Sequence, residues 1–169
     1  MKKNLVLTGM MGVGKSSIGQ SLAKKLEMTF IDVDKIIESE ESDSIQDIFK
    51  KKGENYFRML EQRITTNQIK STNSVIALGG GAFINDEIRK TVLKNCISFW
   101  LDLSTDFLLL RITEYKKRPL LNKPNLKETL EKIYQERKSI YALANFKINC
   151  NKISKVELVE KIATLYVSK

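Results

Sequence analysis

The stretch Gly9-Met10-Met11-Gly12-Val13-Gly14-Lys15-Ser16 follows the pattern G-x-x-x-x-G-K-[ST], with an apolar run at 4–8 before it and a helical period from Lys15 after it. Glycines let such a loop adopt backbone angles that turn consecutive N–H groups toward phosphate oxygens, and the helix that follows adds the positive end of its dipole. Lys15 is then placed to reach β- and γ-phosphates, and the Ser16 hydroxyl to ligate Mg²⁺. A glycine-rich turn that binds nothing is the plain alternative; the flanking strand and helix weigh against it. The loop by itself does not separate a kinase from a hydrolase or a nucleotide-driven switch.

Outward from this loop, short β-branched or apolar runs alternate with stretches of helical period, which predicts an α/β chain with a parallel sheet. Strands are expected near 4–8, 30–33, 75–78, 97–101 and 146–149. A helix is expected over 15–26, with Ile18, Leu22 and Leu26 on one face, and another over 154–167, where Val156, Val159 and Ala163 recur. Two segments leave the carboxyl ends of strands, where open α/β sheets bind ligands. One, from Asp34 to about Ser71, reads as helical throughout; the other, 114–125, is basic and holds both prolines.

The chain has 169 residues, with 42% hydrophobic and 29% charged residues, which predicts one domain over 1–169 with a core of its own. No apolar run approaches the roughly 20 residues of a membrane helix, and the N-terminus turns to glycine too soon for a signal peptide, so a cytoplasmic protein without a membrane partner is expected. Histidine is absent, which excludes imidazole bases and His/Cys metal sites; any proton acceptor is a carboxylate, lysine or water. Cys96 and Cys150 lie in apolar stretches and are expected to be reduced, buried and structural. The net charge of +9 favours anionic ligands, but no basic run interleaved with aromatics supports a nucleic-acid partner.

With only six arginines against 23 lysines, the places that use arginine are informative. Over 126–144 the apolar positions Leu126, Leu130, Ile133, Tyr141 and Ala144 recur at helical steps and Arg137 shares their face. An arginine there needs either a buried partner or an anionic ligand. Arg58 reads either as half of a solvated i,i+3 pair with Glu61 or as a ligand group. In Asp32-Val33-Asp34, strand alternation points both carboxylates to one side, unless Asp34 merely caps a helix. Gly79, Gly80 and Gly81 end the third strand and permit a small ligand to lie on the backbone. Arg118 lies in a basic stretch that is either a solvated loop or a closing lid that excludes water from the transferring phosphoryl group.

Taken together, the loop at 9–16, Asp32-x-Asp34, Phe57-Arg58 with Glu61, the glycine triplet, Arg118-Pro119-Leu120-Leu121 and Arg137 with Tyr141 resemble shikimate kinase, a small P-loop kinase of the aromatic amino-acid pathway, over nearly the whole chain. The resemblance implies the P-loop NTPase fold of the nucleoside-monophosphate-kinase type, a three-layer sandwich with a helical substrate-binding excursion at 34–71 and a lid at 114–125. It implies transfer of the ATP γ-phosphoryl group to the 3-hydroxyl of shikimate, with Mg²⁺, by a monomeric enzyme. ATP is then held by Gly12, Val13, Gly14, Lys15, Ser16, Ser17, Arg111 and Arg118, and the metal by Ser16 and, through water, Asp32. Asp34, Arg58, Gly79, Gly80, Gly81 and Arg137 fall on shikimate-binding positions, and Phe49 and Phe57 on positions that wall the ring. Lys15, Asp34 and Arg118 carry the catalytic roles. A gluconate kinase or a non-catalytic nucleotide-binding homologue is the rival reading.

Overall fold

The computed structural model describes residues 3–111 and 125–169. Strands β1 (Asn4–Thr8), β2 (Thr29–Asp32), β3 (Ser74–Ala77), β4 (Cys96–Asp102) and β5 (Phe146–Asn149) form one parallel sheet in the order β2-β3-β1-β4-β5. The central strands are covered on both faces, which is why β1 and β3 read as continuous buried runs. Helices α1 (Lys15–Leu26), α2 (Val33–Glu41), α3 (Ile45–Ile69), α4 (Asp86–Asn95), α5 (Thr105–Arg111), α6 (Leu126–Tyr141) and α7 (Lys155–Val167) surround it, with a 3₁₀ turn at Ala82–Ile84. Helices α1 and α7 pack on each other, and α4 packs on α3 and β4. No helix among the described residues is long and apolar enough to cross a membrane.

All five strands stand where the apolar runs put them, shifted at the ends by a residue, and α1 has the expected bounds. Three expectations change. Strand β2 stops at Asp32 because that side chain caps α2, accepting from the Lys35 amide; Asp34 therefore lies in the first turn of a helix and is neither its cap nor a strand residue. The excursion at 34–71 is not one continuous helix. Ser42 takes a left-handed conformation, Ser44 caps α3, and Gly53 (φ 83°, ψ 169°) breaks α3 internally. Helix α6 ends at Tyr141 rather than 144, its last turns closed by the Ala142 amide on Lys138. The lid expected at 114–125 lies, apart from Asn125, outside the described residues, and Arg118 with it.

Cys96 and Cys150 are free and buried, and burial pushes their thiols up to about 11 and about 12, so both stay protonated and inert. Asn4, 4% exposed, ties the return from α3 to the sheet: its amide donates to the Ile69 and Ser71 carbonyls at 3.1 and 2.6 Å and its carbonyl accepts from the Ser74 amide at 2.9 Å. Asn4→Ala is expected to lower unfolding free energy by about 2–3 kcal/mol, because buried backbone groups lose their partners. Urea denaturation at unchanged slope measures this.

Candidate active site

The loop between β1 and α1, the turn after β2 and the turn after β3 open at the same carboxyl edge of the sheet, where α/β folds collect ligands. Gly14 precedes α1 in a left-handed conformation (φ 99°) that a side chain resists, so the loop enters the helix with its amides turned outward. Lys15 is 8% exposed, and its ammonium donates to the Gly9 and Met10 carbonyls at 2.8 and 2.9 Å, lying back across the loop. Arg111, at the end of α5, donates to the Val13 carbonyl at 3.0 Å, which anchors it beside the same loop. Ser17 is exposed at the start of α1, next to Ser16.

The Ser16 hydroxyl donates to Asp32 Oδ2 at 2.5 Å. This contact joins the phosphate loop to the end of β2 and presents one hydroxyl and one carboxylate together. Such hard oxygen donors suit Mg²⁺, which keeps several waters and takes its other ligands from phosphates. Among the described residues no group of three or more His, Cys, Asp or Glu could hold a metal ion.

Across the edge lies a second set of groups. A Cβ built on Gly79 would stand 2.6 Å from Glu61 Oε1 and 2.7 Å from Asp34 Oδ1, so two carboxylates press on the bare backbone there. A Cβ on Gly81 would stand 2.5 Å from Arg58 Nη1. The glycines thus make room for side chains of α2 and α3 to close on the turn. Arg58 donates to Glu61 Oε2 at 2.8 Å and reaches Glu54 at 3.3 Å. Glu61 is 1% exposed and its Oε1 has no hydrogen-bond partner. The pair is therefore no solvated surface pair. Burial pushes the Glu61 carboxyl up against the opposing pull of Arg58, and Asp34 adds to the rise.

Arg137 Nη1, from α6, donates to the Gly80 carbonyl at 3.1 Å, so this part-buried arginine meets the glycine turn. Phe57 is buried and Phe49 half-buried, their ring centroids 4.7 Å apart, and the Arg58 guanidinium lies 5.2 Å from the Phe57 ring. The structure brings Asp34, Arg58, the glycine triplet and Arg137 to one turn. It also adds Glu54, which the i,i+4 spacing to Arg58 could have signalled. The arrangement offers two arginine forks, one exposed-edge carboxylate and a bare backbone, which suits a small hydroxylated acid.

The family model described as shikimate kinase matches residues 11–166. The chain is 45% identical over 158 residues to a shikimate kinase of Bartonella henselae, covering 94% of this chain and 75% of that one. Its fold superposes with a TM-score of 0.95 on a shikimate kinase from Acinetobacter baumannii in complex with shikimate, at 31% identity, covering 99% of this chain and 94% of that one. A gluconokinase from Sinorhizobium meliloti shares the fold alone, with a TM-score of 0.59 at 16% identity over 98% of this chain and 92% of that one.

Proposed function

The chain belongs to the shikimate kinase family, and from that premise we propose that it transfers the γ-phosphoryl group of ATP to the 3-hydroxyl of shikimate, giving ADP and shikimate 3-phosphate. The observation that carries the reading is the convergence of Asp34, Arg58, Glu61 and Arg137 on the glycine turn, at the same sheet edge as the phosphate loop. ATP lies along the loop amides of Gly12, Val13, Gly14, Lys15, Ser16 and Ser17. Lys15 turns from the loop carbonyls to the phosphates, and Arg111 stands on the adenine side. Ser16, and Asp32 through water, would hold Mg²⁺, which when bound neutralises phosphate charge.

Arg58 and Arg137 take the acceptor's carboxylate, each through a planar fork of N–H donors. Glu61 holds Arg58 in place. Phe49 and Phe57 wall the ring, and the bare backbone of Gly79, Gly80 and Gly81 lets it approach closely. Asp34 accepts a hydrogen bond from the attacking hydroxyl and takes its proton as the new P–O bond forms and the bond to ADP breaks. Arg118, in the lid at 114–125, closes over the phosphates and keeps water from the phosphoryl group. The two reduced buried thiols suit the cytoplasm.

The test is ADP release by the purified protein with Mg·ATP and, in parallel, shikimate, gluconate, AMP or no acceptor. Stimulation by shikimate alone is expected. Stimulation by gluconate with shikimate silent would replace the acceptor, and silence with all three while ATP binds would point to a non-catalytic homologue.

A further inference from the structure

The turn after β3 is three glycines long, the most permissive backbone in the chain, and something outside it must fix its peptide planes. The Gly79 carbonyl accepts from the Ala82 amide at 3.1 Å and the Gly81 carbonyl from the Ile84 amide at 3.1 Å, both within the 3₁₀ turn. The middle carbonyl, Gly80, is held instead from α6. It accepts from Arg137 Nη1 at 3.1 Å and from the Tyr141 hydroxyl at 2.5 Å, one donor for each lone pair. On the other side, a Cβ on Gly80 would lie 3.1 Å from the Met11 amide nitrogen, so this peptide is wedged between α6 and the phosphate loop.

Tyr141 is fully buried and its ring stands 5.9 Å from that of Trp100, which leaves the phenol no freedom to swing away. Burial pushes the phenol's pKa up, so it remains a donor at every physiological pH. Tyr134, Arg137 and Tyr141 recur at i, i+3 and i+7 on one face of α6, and the Tyr134 hydroxyl donates to Asp102 Oδ1 at 2.9 Å. The two hydroxyls thus meet different groups: Tyr134 meets the end of β4, and Tyr141 meets the glycine turn.

We propose that Tyr141 is a positioning residue for the acceptor site: its hydroxyl fixes the Gly80 peptide and fills that carbonyl's second lone pair, so that the Arg137 guanidinium, anchored on the same carbonyl through Nη1, is held at a fixed angle to the acceptor's carboxylate. Without the hydroxyl, the second lone pair of a part-buried carbonyl loses its donor and draws the guanidinium toward itself. The turn is then free to rotate the Gly81 amide away from the ligand. This rests on the shikimate kinase reading above.

The experiment measures steady-state kinetics of Tyr141→Phe, with Tyr134→Phe as a control that removes the other hydroxyl on the same helix face. Tyr141→Phe is expected to raise KM for shikimate about fivefold to tenfold while KM for ATP stays within about twofold, and Tyr134→Phe is expected to leave both unchanged. An unchanged KM for shikimate, a parallel rise in both constants, or the same split in Tyr134→Phe would overturn the proposal, the last two assigning the effect to a loosened helix. An unsubstituted protein that does not phosphorylate shikimate at all would overturn the functional reading, and the role of Tyr141 with it. Magnetic resonance of the unsubstituted protein gives a reading independent of how a variant folds. The Tyr141 hydroxyl proton is expected to exchange slowly with solvent both without shikimate and with it saturating; its loss on binding would overturn the proposal.

Discussion

Lys15→Met is expected to lower kcat by about 10³-fold while the protein keeps its fold and its thermal midpoint within a few degrees. Lys15 opens α1 and is 8% exposed, with its ammonium laid on the Gly9 and Met10 carbonyls. Those bonds hold the charge inside the loop, from which the ammonium turns to meet phosphate oxygens. Methionine keeps the length of the side chain and deletes the charge. The fold loses charge-assisted bonds but is also spared a buried cation, and the two effects oppose each other. The transition state has no such compensation: negative charge on the transferring oxygens loses a fixed partner in a site from which water is excluded. A factor of 10³ corresponds to about 4 kcal/mol of transition-state stabilisation. The check is ADP release at saturating shikimate together with equilibrium ATP binding. A fall of less than about tenfold would mean that Lys15 does not stand at the transferring phosphate.

The central strands were legible because they are parallel and covered on both faces, so β1, β3 and β4 are largely buried runs that need no alternation to be seen. The loop at 9–16 was legible because its chemistry lies in consecutive residues. What sequence could not supply was where strand becomes helix after β2. Asp32 and Asp34 are two apart, a spacing that reads as one side of a strand, yet the Asp32 side chain caps α2 and puts Asp34 in its first turn. Both conformations accommodate the same three residues, and only the hydrogen bond to the Lys35 amide selects between them. The break before α3 had a local signal, Ser44 with Asp47 three residues on, which an apolar period alone passes over.

The acceptor pocket was legible as a set of residues but not as a set of environments. Arg58 and Glu61 at i,i+3 describe an exposed pair as well as a buried one, and Glu61 is buried where the Gly79 turn, 18 positions away, packs against its carboxylate. The hold of Tyr141 on Gly80 spans 61 positions, and nothing near either residue announces it. Glycine at 79, 80 and 81 can be seen in the sequence as permission for a close approach. Which groups approach is a property of α2, α3 and α6 arriving at one turn, and only tertiary packing fixes it.

Asp34→Asn is expected to lower kcat about 10²-fold or more at saturating shikimate, and to move the acid limb of kcat/KM to lower pH. Asparagine preserves the shape and one acceptor oxygen but cannot take a proton, so a fall in kcat beyond what lost hydrogen bonding explains reports proton acceptance. The pH effect comes through Glu61. Its carboxyl is pushed up chiefly by burial and further by the neighbouring Asp34 charge, while Arg58 pulls it down. As pH falls, Glu61 takes a proton before an ordinary glutamate would, the charge that holds Arg58 is cancelled, and the carboxylate site loosens. Stability has the opposite sign: the folded chain binds this proton more tightly than the unfolded one, so the contribution is present at low pH and is lost as pH rises through the folded pKa. Neutralising residue 34 removes a like charge from beside Glu61, which then ionises at lower pH and keeps Arg58 in place further into acid. Steady-state rates across pH read both effects in one variant. Near-normal kcat would remove the proton-accepting role, and an acid limb that stays in place would mean that the carboxyl of Glu61 does not govern how Arg58 is held.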